Sequence, residues 1–336
     1  MATAADTELE QTTLHLVNLI AYSAHNRTYR RRFALVTGLD LPGAEIETVT
    51  ALTGTPMTTG ALAERLRIDI TQASRQVARL AALGLAEKER DPADRRRIVV
   101  SLTEQAQRRA DAWAAVWVND YALPVDGWAT EDVDALGEWL AIVHRVLAPA
   151  LTSVPERDLP SSWEPTGDEN RVRFLRTTVR LARLVGNSHG FQDLLDEART
   201  NLNELTYFTL RDIWRHGPTT VSEIASRLAI DASQASKRVT ALREHGLLDE
   251  AVDVFDRRST RLRASRRGTA VVRRIHQNQL AGFLDLLGEV DPASRGRWTT
   301  LVKRYVHVLA TAEVDERGWL VARGSTARPV TERAAG

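Results

Sequence analysis

The sequence predicts a mainly α-helical protein with small β-hairpins, organised as two copies of one domain. Residues Leu66 to Ser74 read LRIDITQAS and residues Leu228 to Ser236 read LAIDASQAS, the same cassette 162 positions apart. That offset holds elsewhere without a gap: Pro56 falls on Pro218, Leu80 on Leu242, Gly84-Leu85 on Gly246-Leu247, and Asp94-Arg95-Arg96 on Asp256-Arg257-Arg258. Such a register means tandem copies of a small domain, because the period is far too long for one unit of a solenoid. Apolar spacing of three and four residues marks most of each copy as helix, and a short β-branched run with a polar turn marks one hairpin per copy.

Bulk composition agrees: of 336 residues, 43% are hydrophobic and 26% charged, which suits two soluble globular domains. No run approaches the roughly 20 apolar residues of a membrane helix, and the N-terminal MATAADTELEQ has neither a basic start nor an apolar signal core, so a cytoplasmic protein is expected. The absence of cysteine excludes disulfides, thiolate metal sites and switching by cysteine oxidation. A net charge of only +1 rules out an indiscriminate polycation, so basic charge matters by where it gathers. It gathers at Arg27 with Arg30 to Arg32, at Arg95 to Arg97, at Arg257, Arg258, Arg261 and Arg263, and at Arg266-Arg267. An arginine run by itself reads as a solvated face, and only position within the repeat gives some of these runs more meaning.

In the first copy, Thr58 to Leu66 reads as a short helix burying Ala61, Leu62 and Leu66, with a tight break at Arg67-Ile68. Asp69 is placed to cap a second helix, with Gln72 as its reciprocal partner, and the second copy repeats the device with Asp231 and Gln234. Ala73, Val77 and Leu80 then form a buried stripe, leaving Thr71, Gln72, Arg75, Gln76 and Arg79 on the other faces. The corresponding outer positions of the second copy are Ser233, Gln234, Lys237 and Arg238. Two short helices joined by a tight turn, the second rich in hydrogen-bond donors, describe a helix-turn-helix whose second helix enters a major groove, where Arg and Gln suit guanine and adenine edges. Gly84 and Gly246 sit where a helix end needs positive φ. Leu85 to Arg90, the turn Asp91-Pro92-Ala93-Asp94 and Arg97 to Leu102 then form a hairpin, or wing, whose arginines are placed for phosphates or the minor groove.

This order of a helix, a Gln-Ala-Ser recognition helix, Gly-Leu, an Asp-Arg-Arg wing and Ser101-Leu102-Thr103 opening a long helix resembles the winged helix-turn-helix of MarR-type transcriptional regulators. The resemblance runs over roughly residues 10 to 150 and 170 to 312. It implies that Asp94 and Arg96, and likewise Asp256 and Arg258, order the wing and put an arginine into the minor groove, with Arg95, Arg97 and Arg257 beside them. Family members usually carry one such domain per chain and bind DNA as homodimers through interlocked terminal helices. Here the expected division is copy one at 1–150, a proline-rich linker at 151–168, copy two at 169–320 and a flexible tail at 321–336. The dimerisation-type helices are expected near 9–35, 103–121 and 130–147, and near 170–186, 265–287 and 292–312, with Asp291-Pro292 opening the last. An intramolecular pseudo-dimer is therefore expected.

Fusion leaves the two heads free to diverge, and they have. Arg75, Gln76 and Arg79 correspond to Lys237, Arg238 and Ala241, while Lys88 and Arg90 of the wing correspond to Glu250 and Val252. An acidic wing strand is expected to repel phosphate and weaken the second head, which points to an imperfect inverted repeat as target. The resemblance further implies release by a small aromatic or phenolic effector, for which Tyr22, His25, Asn26 and Trp113 are candidates, with Trp117, Tyr207 and Trp214 behind them. Ordinary core packing is the competing account of every aromatic among them. Eight histidines show no short ligand pair, so no metal and no cofactor are expected. Glycine-rich phosphate loops, HExxH and Gly-x-Ser-x-Gly are absent, which leaves no sequence support for an enzyme. The readings that remain are a DNA-binding regulator, for which the resemblance implies action as a repressor, and a winged-helix scaffold that uses a head for protein contacts.

Overall fold

The computed structural model describes residues 4–23, 27–66, 68–90, 97–150, 168–186, 195–228, 230–252, 260–280 and 290–323. Over the first copy the chain forms α1 (Ala4–Ser23), α2 (Arg27–Thr37), α3 (Gly43–Leu52), β1 (Met57–Thr58), α4 (Thr59–Leu66), α5 (Ile70–Ala82), β2 (Ala86–Arg90), β3 (Ile98–Leu102), α6 (Glu104–Ala122) and α7 (Thr130–Ala150). The second copy forms α8 (Glu169–Val185), α9 (Glu204–His216), α10 (Val221–Arg227), α11 (Ala232–Glu244), β4 (Leu248–Val252), β5 (Thr260–Ala264), α12 (Arg266–Leu280) and α13 (Pro292–Thr311), followed by a hairpin of β6 (Glu313–Val314) and β7 (Leu320–Val321). Among the described residues no helix is long and apolar enough to cross a membrane.

The repeat is preserved in hydrogen-bond register. Met57 pairs with Val100 and Thr219 with Leu262, while Ala86 pairs with Leu102 and Leu248 with Ala264, each equivalence shifted by the same offset as the sequence. Helix entry shows the aspartate half of each expected capping box: Asp69 accepts from the Gln72 amide and Asp231 from the Gln234 amide, both at 2.8 Å. Gly84 and Gly246 turn the chain at φ of +68° and +66°. Asp291 accepts from the Ala293 and Ser294 amides and has Pro292 behind it.

Three expectations shift. The helix expected across residues 9–35 is described as α1 and α2, and α3, which sequence reading passed over, buries Ile46, Val49 and Leu52. In α4 the buried pair is Leu62 and Ala63, with Ala61 and Leu66 only half-buried, a phase one residue from that expected. Beyond α13, where a flexible tail was expected from residue 321, Leu320–Val321 pairs with Glu313–Val314.

The chain divides into two compact units, and neither is one copy of the repeat. The described residues within 29–144, 153–184 and 291–336 form one; those within 1–28, 145–152 and 185–290 form the other. In the unit that carries the first head, Phe33, Ile46, Leu52, Leu62, Val77, Leu80, Val100 and Trp113 make a continuous core. Second-copy helices close its other side. Trp298 of α13 stacks on Trp139 of α7 at 4.9 Å between ring centroids, Phe174 of α8 meets Tyr305 edge-on at 5.9 Å, and the Tyr305 hydroxyl donates to the Tyr121 carbonyl. Arg32 of α2 is buried there, donating to Asp120 and to the Gly318 carbonyl, both at 2.7 Å, while Trp319 packs on the same core. In the unit that carries the second head, α9 provides the fully buried Tyr207, Leu210 and Ile213, and α12 provides Val272 and Ile275.

Burial raises the pKa of Asp120, and the Arg32 guanidinium opposes that rise, so each charge depends on the other. Replacing Arg32 with alanine is expected to destabilise this unit by about 3 kcal/mol, the cost of a buried carboxylate without its partner. Denaturant unfolding followed by tryptophan fluorescence measures it; a loss near zero would contradict the account.

Candidate nucleic-acid interface

α5 presents two faces of different chemistry. Ala73, Val77 and Leu80 are buried, while Thr71, Gln72, Ser74 and Arg75 are exposed to solvent. Gln76 is not on the outer face as the spacing suggested: it is 6% exposed and accepts a hydrogen bond from Thr48 of α3 at 2.9 Å. Arg79 remains exposed but is not idle, since it donates at 2.6 Å to Glu45, whose side chain is 3% exposed. The reason is α3 itself, which lies beneath this helix and presents two polar groups to it. Of the donors expected on the outer face of α5, Thr71, Gln72 and Arg75 remain free of α3.

α11 repeats the outward row with Ser233, Gln234 and Lys237, over a buried stripe of Ala235, Val239 and Leu242. Its tether differs. Glu45 and Thr48 are replaced by Tyr207 and Leu210, and Gln76 and Arg79 by Arg238 and Ala241. Arg238 is half-buried, and its Nη1 is enclosed without a hydrogen-bond partner among the described residues. The helix before it is instead held by Arg227, which grips Asp212 at 2.6 and 3.0 Å and also reaches Thr219. Thr220 and Glu223 add a capping box there that the first copy lacks, Ala61 standing at the Glu223 position.

Both wings begin and end as expected, but their tips, including Asp94, Arg95 and Arg96 and also Asp256, Arg257 and Arg258, lie outside the described residues. Arg97 is described and exposed. The acidic strand β4 is less repulsive than its sequence suggests: Glu250 is ion-paired with Arg243 of α11, and Asp249 lies 3.6 Å from Arg263. Those arginines offset the negative charge locally.

Of the effector candidates, His25 and Asn26 lie outside the described residues, as does the side chain of Tyr22. Trp113 is core: it is 2% exposed, with Tyr29 and Phe33 edge-on at 5.1 and 5.5 Å. The cluster that sequence reading missed lies in the other unit. His15 of α1 sits near Arg211, Arg215 and His216 of α9, and His276 of α12 faces Trp214 at 5.5 Å between ring centroids. Burial first, then Arg215, Arg211 and His216, pulls the His15 pKa down to about 4; burial and the two arginines do the same to His276. Burial also pulls the Arg211 pKa to about 10 and raises that of Tyr207. His15 Nδ1 and His276 Nε2 are enclosed without partners among the described residues. Together they make a buried cluster of basic and aromatic side chains, whose chemistry suits a small anion. In the unit that carries the first head the equivalent positions are Thr177, Val49, Thr53 and Ala114, so the feature is confined to one unit. Only the Trp214 and Tyr207 pair was visible beforehand; the histidines, 261 positions apart, carried no spacing signal.

Comparison with known proteins follows the same two heads. A MarR family model matches residues 39–97, and a second MarR family model matches residues 202–260. No curated protein matches the chain. A mutant of Lactococcus lactis ZitR aligns at 24% identity over 24% of this chain and 54% of that chain, with a TM-score of 0.23. Only about half the length of that solved chain is spanned.

Because His15 and His276 have depressed pKa values in the folded chain, the unfolded chain binds more protons between about pH 6.5 and pH 4. Stability is therefore expected in full above pH 6.5 and to fall as the pH drops through that window. His276→Gln should flatten the decline. Melting temperature recorded against pH for both proteins tests this, and parallel curves would refute it.

Proposed function

We propose that this chain, which carries two MarR-family winged helix-turn-helix domains in tandem, is a DNA-binding transcription regulator that reads duplex DNA with two non-identical heads. The observation that carries the reading is the exposed donor row Thr71, Gln72 and Arg75 on a helix capped by Asp69 and held from beneath by α3, repeated as Ser233, Gln234 and Lys237 on α11. Such a helix has the dimensions and chemistry of a major-groove reader. Arg97, Arg96 and Arg258, with Arg95, Arg257 and the wing aspartates Asp94 and Asp256, are assigned the wing contacts by their place in the repeat. Gln76 and Arg238 are assigned to support of the helix rather than to base edges.

A single chain then works as a pseudo-dimer on an imperfect inverted repeat. Support comes from the composition of each compact unit, which draws helices from both copies. Release from an operator by a small aromatic anion, as a repressor requires, is supported by the buried basic cluster around His15, Arg211 and His276. Action in the cytoplasm without a catalytic step completes the proposal. The scaffold reading gains little: the exposed large apolar side chains of the first head's described residues are spread out, with Ile70 and Leu83 at opposite ends of α5 and Ile98 on β3.

Selection of binding sites from random duplexes, followed by mobility shift at several salt concentrations, tests the function. An asymmetric inverted repeat bound by one chain is the expected result, whereas a perfectly symmetric optimum would count against unequal heads. Arg75→Glu should cost at least 1–3 kcal/mol of specific binding, and Lys237→Glu less. Benzoate is expected to weaken the complex of the wild-type protein but not of Arg211→Gln.

A further inference from the structure

The strand and helix that follow the second wing carry a charge the first copy does not have. Residues 260–280 contain six arginines and no acid; residues 98–118, their equivalents, contain two arginines, Glu104 and Asp111. Arg266, Arg267, Arg273 and Arg274 replace Glu104, Gln105, Asp111 and Ala112. All four are exposed on α12, and none forms an ion pair among the described residues. Spacing of seven residues places Arg266 with Arg273, and Arg267 with Arg274, along one side of the helix. Arg263, Arg266, Thr269, Arg273 and Gln277 line an open concavity of about 740 Å³ against β5. The single acid at its wall, Asp249, lies 3.6 Å from Arg263.

Like charges held this closely repel one another, so an uncompensated row on a chain of net charge +1 calls for a polyanion from outside. Its position in the fold says which. Ser265, the residue before α12, donates through its hydroxyl to the Gly246 carbonyl and through its amide to the Leu247 carbonyl, both at 2.9 Å. Gly246 closes α11, and the Arg267 guanidinium lies beside it, 3.9 Å from where a Cβ would stand. The arginine face is thus fixed to the end of the second recognition helix. Along α12 it extends roughly 12 Å from Arg266 to Arg274, the scale of a short run of backbone phosphates.

We propose that this face is a second DNA-contact surface, binding the phosphates of the duplex that flanks the half-site read by α11. The proposal rests on the DNA-binding reading above. It gives the second head sequence-independent affinity beyond what the outward row Ser233, Gln234 and Lys237 of its recognition helix supplies.

The test measures binding by fluorescence anisotropy against salt, using a duplex trimmed to the selected site and one extended by about one helical turn at each end. Wild-type protein is compared with a variant carrying Arg266→Gln, Arg267→Gln, Arg273→Gln and Arg274→Gln, and with the milder Arg273→Gln, Arg274→Gln pair should the fourfold change impair folding. On the extended duplex, the slope of log affinity against log salt is expected to fall by about 3 to 4 for the fourfold variant and about 2 for the pair. On the trimmed duplex the slope should change by less than about 1. An unchanged slope on the extended duplex in folded protein overturns the contact, and an equal loss on both duplexes overturns its flanking placement. Wild-type protein that binds neither duplex overturns the DNA reading itself, which separates that failure from this one.

Discussion

The structure depends on the covering of the α6–α7 surface by helices from the other copy. Trp139, Leu140 and Val143 on α7 form an apolar face that the first copy cannot bury alone. Trp298, Tyr305 and Phe174 complete it from α13 and α8. Burying an aromatic of this size is worth about 3 kcal/mol or more, so the head of the first copy is stable only in company with second-copy helices. Ion pairs such as Arg297 with Asp132 at 2.9 Å lie on the exposed rim, where they fix orientation more than they add energy. Fusion of the copies supplies that company at a fixed ratio.

The two recognition helices differ most in what lies under them. Glu45 is almost wholly buried beneath Arg79, and stripping a buried carboxylate of its partner costs about 3–5 kcal/mol. One phosphate contact by a surface arginine offers less. Arg79 therefore stays with Glu45, and α5 is held in orientation by a bond that DNA does not readily displace. Beneath α11 the same place is taken by Tyr207 and Leu210, and the positive charge reappears on α12. Orientation on one side and diffuse attraction on the other make the heads unlike in kind as well as in strength.

Local chemistry was legible in the sequence where it is fixed by neighbours. Asp69, Asp231, Asp291, Gly84 and Gly246 occupy positions dictated by helix ends, so their roles could be read directly. The place of each hairpin, though not its register, was legible in the same way. What sequence reading misplaced depended on a partner distant along the chain. Gln76 lies on a polar face by periodicity, yet Thr48 draws it inward. His15 and His276 look like scattered surface histidines until α1 and α12 enclose them beside Arg211. Trp113, a candidate ligand contact by type, is held by Tyr29 and Phe33.

The contact of Arg32 with Gly318, and of Asn119 with Leu320, has a bearing on how the polypeptide matures. A ribosome delivers residues in order, and the unit carrying the first head takes its closing segment from among the later ones. Every described element of the other unit has emerged by Leu280, whereas this one waits for residue 320. The unit that carries the first head is thus finished last, and in the interval Arg32, Asp120 and the Trp139 face stand open to whatever chaperone or neighbour meets the nascent chain.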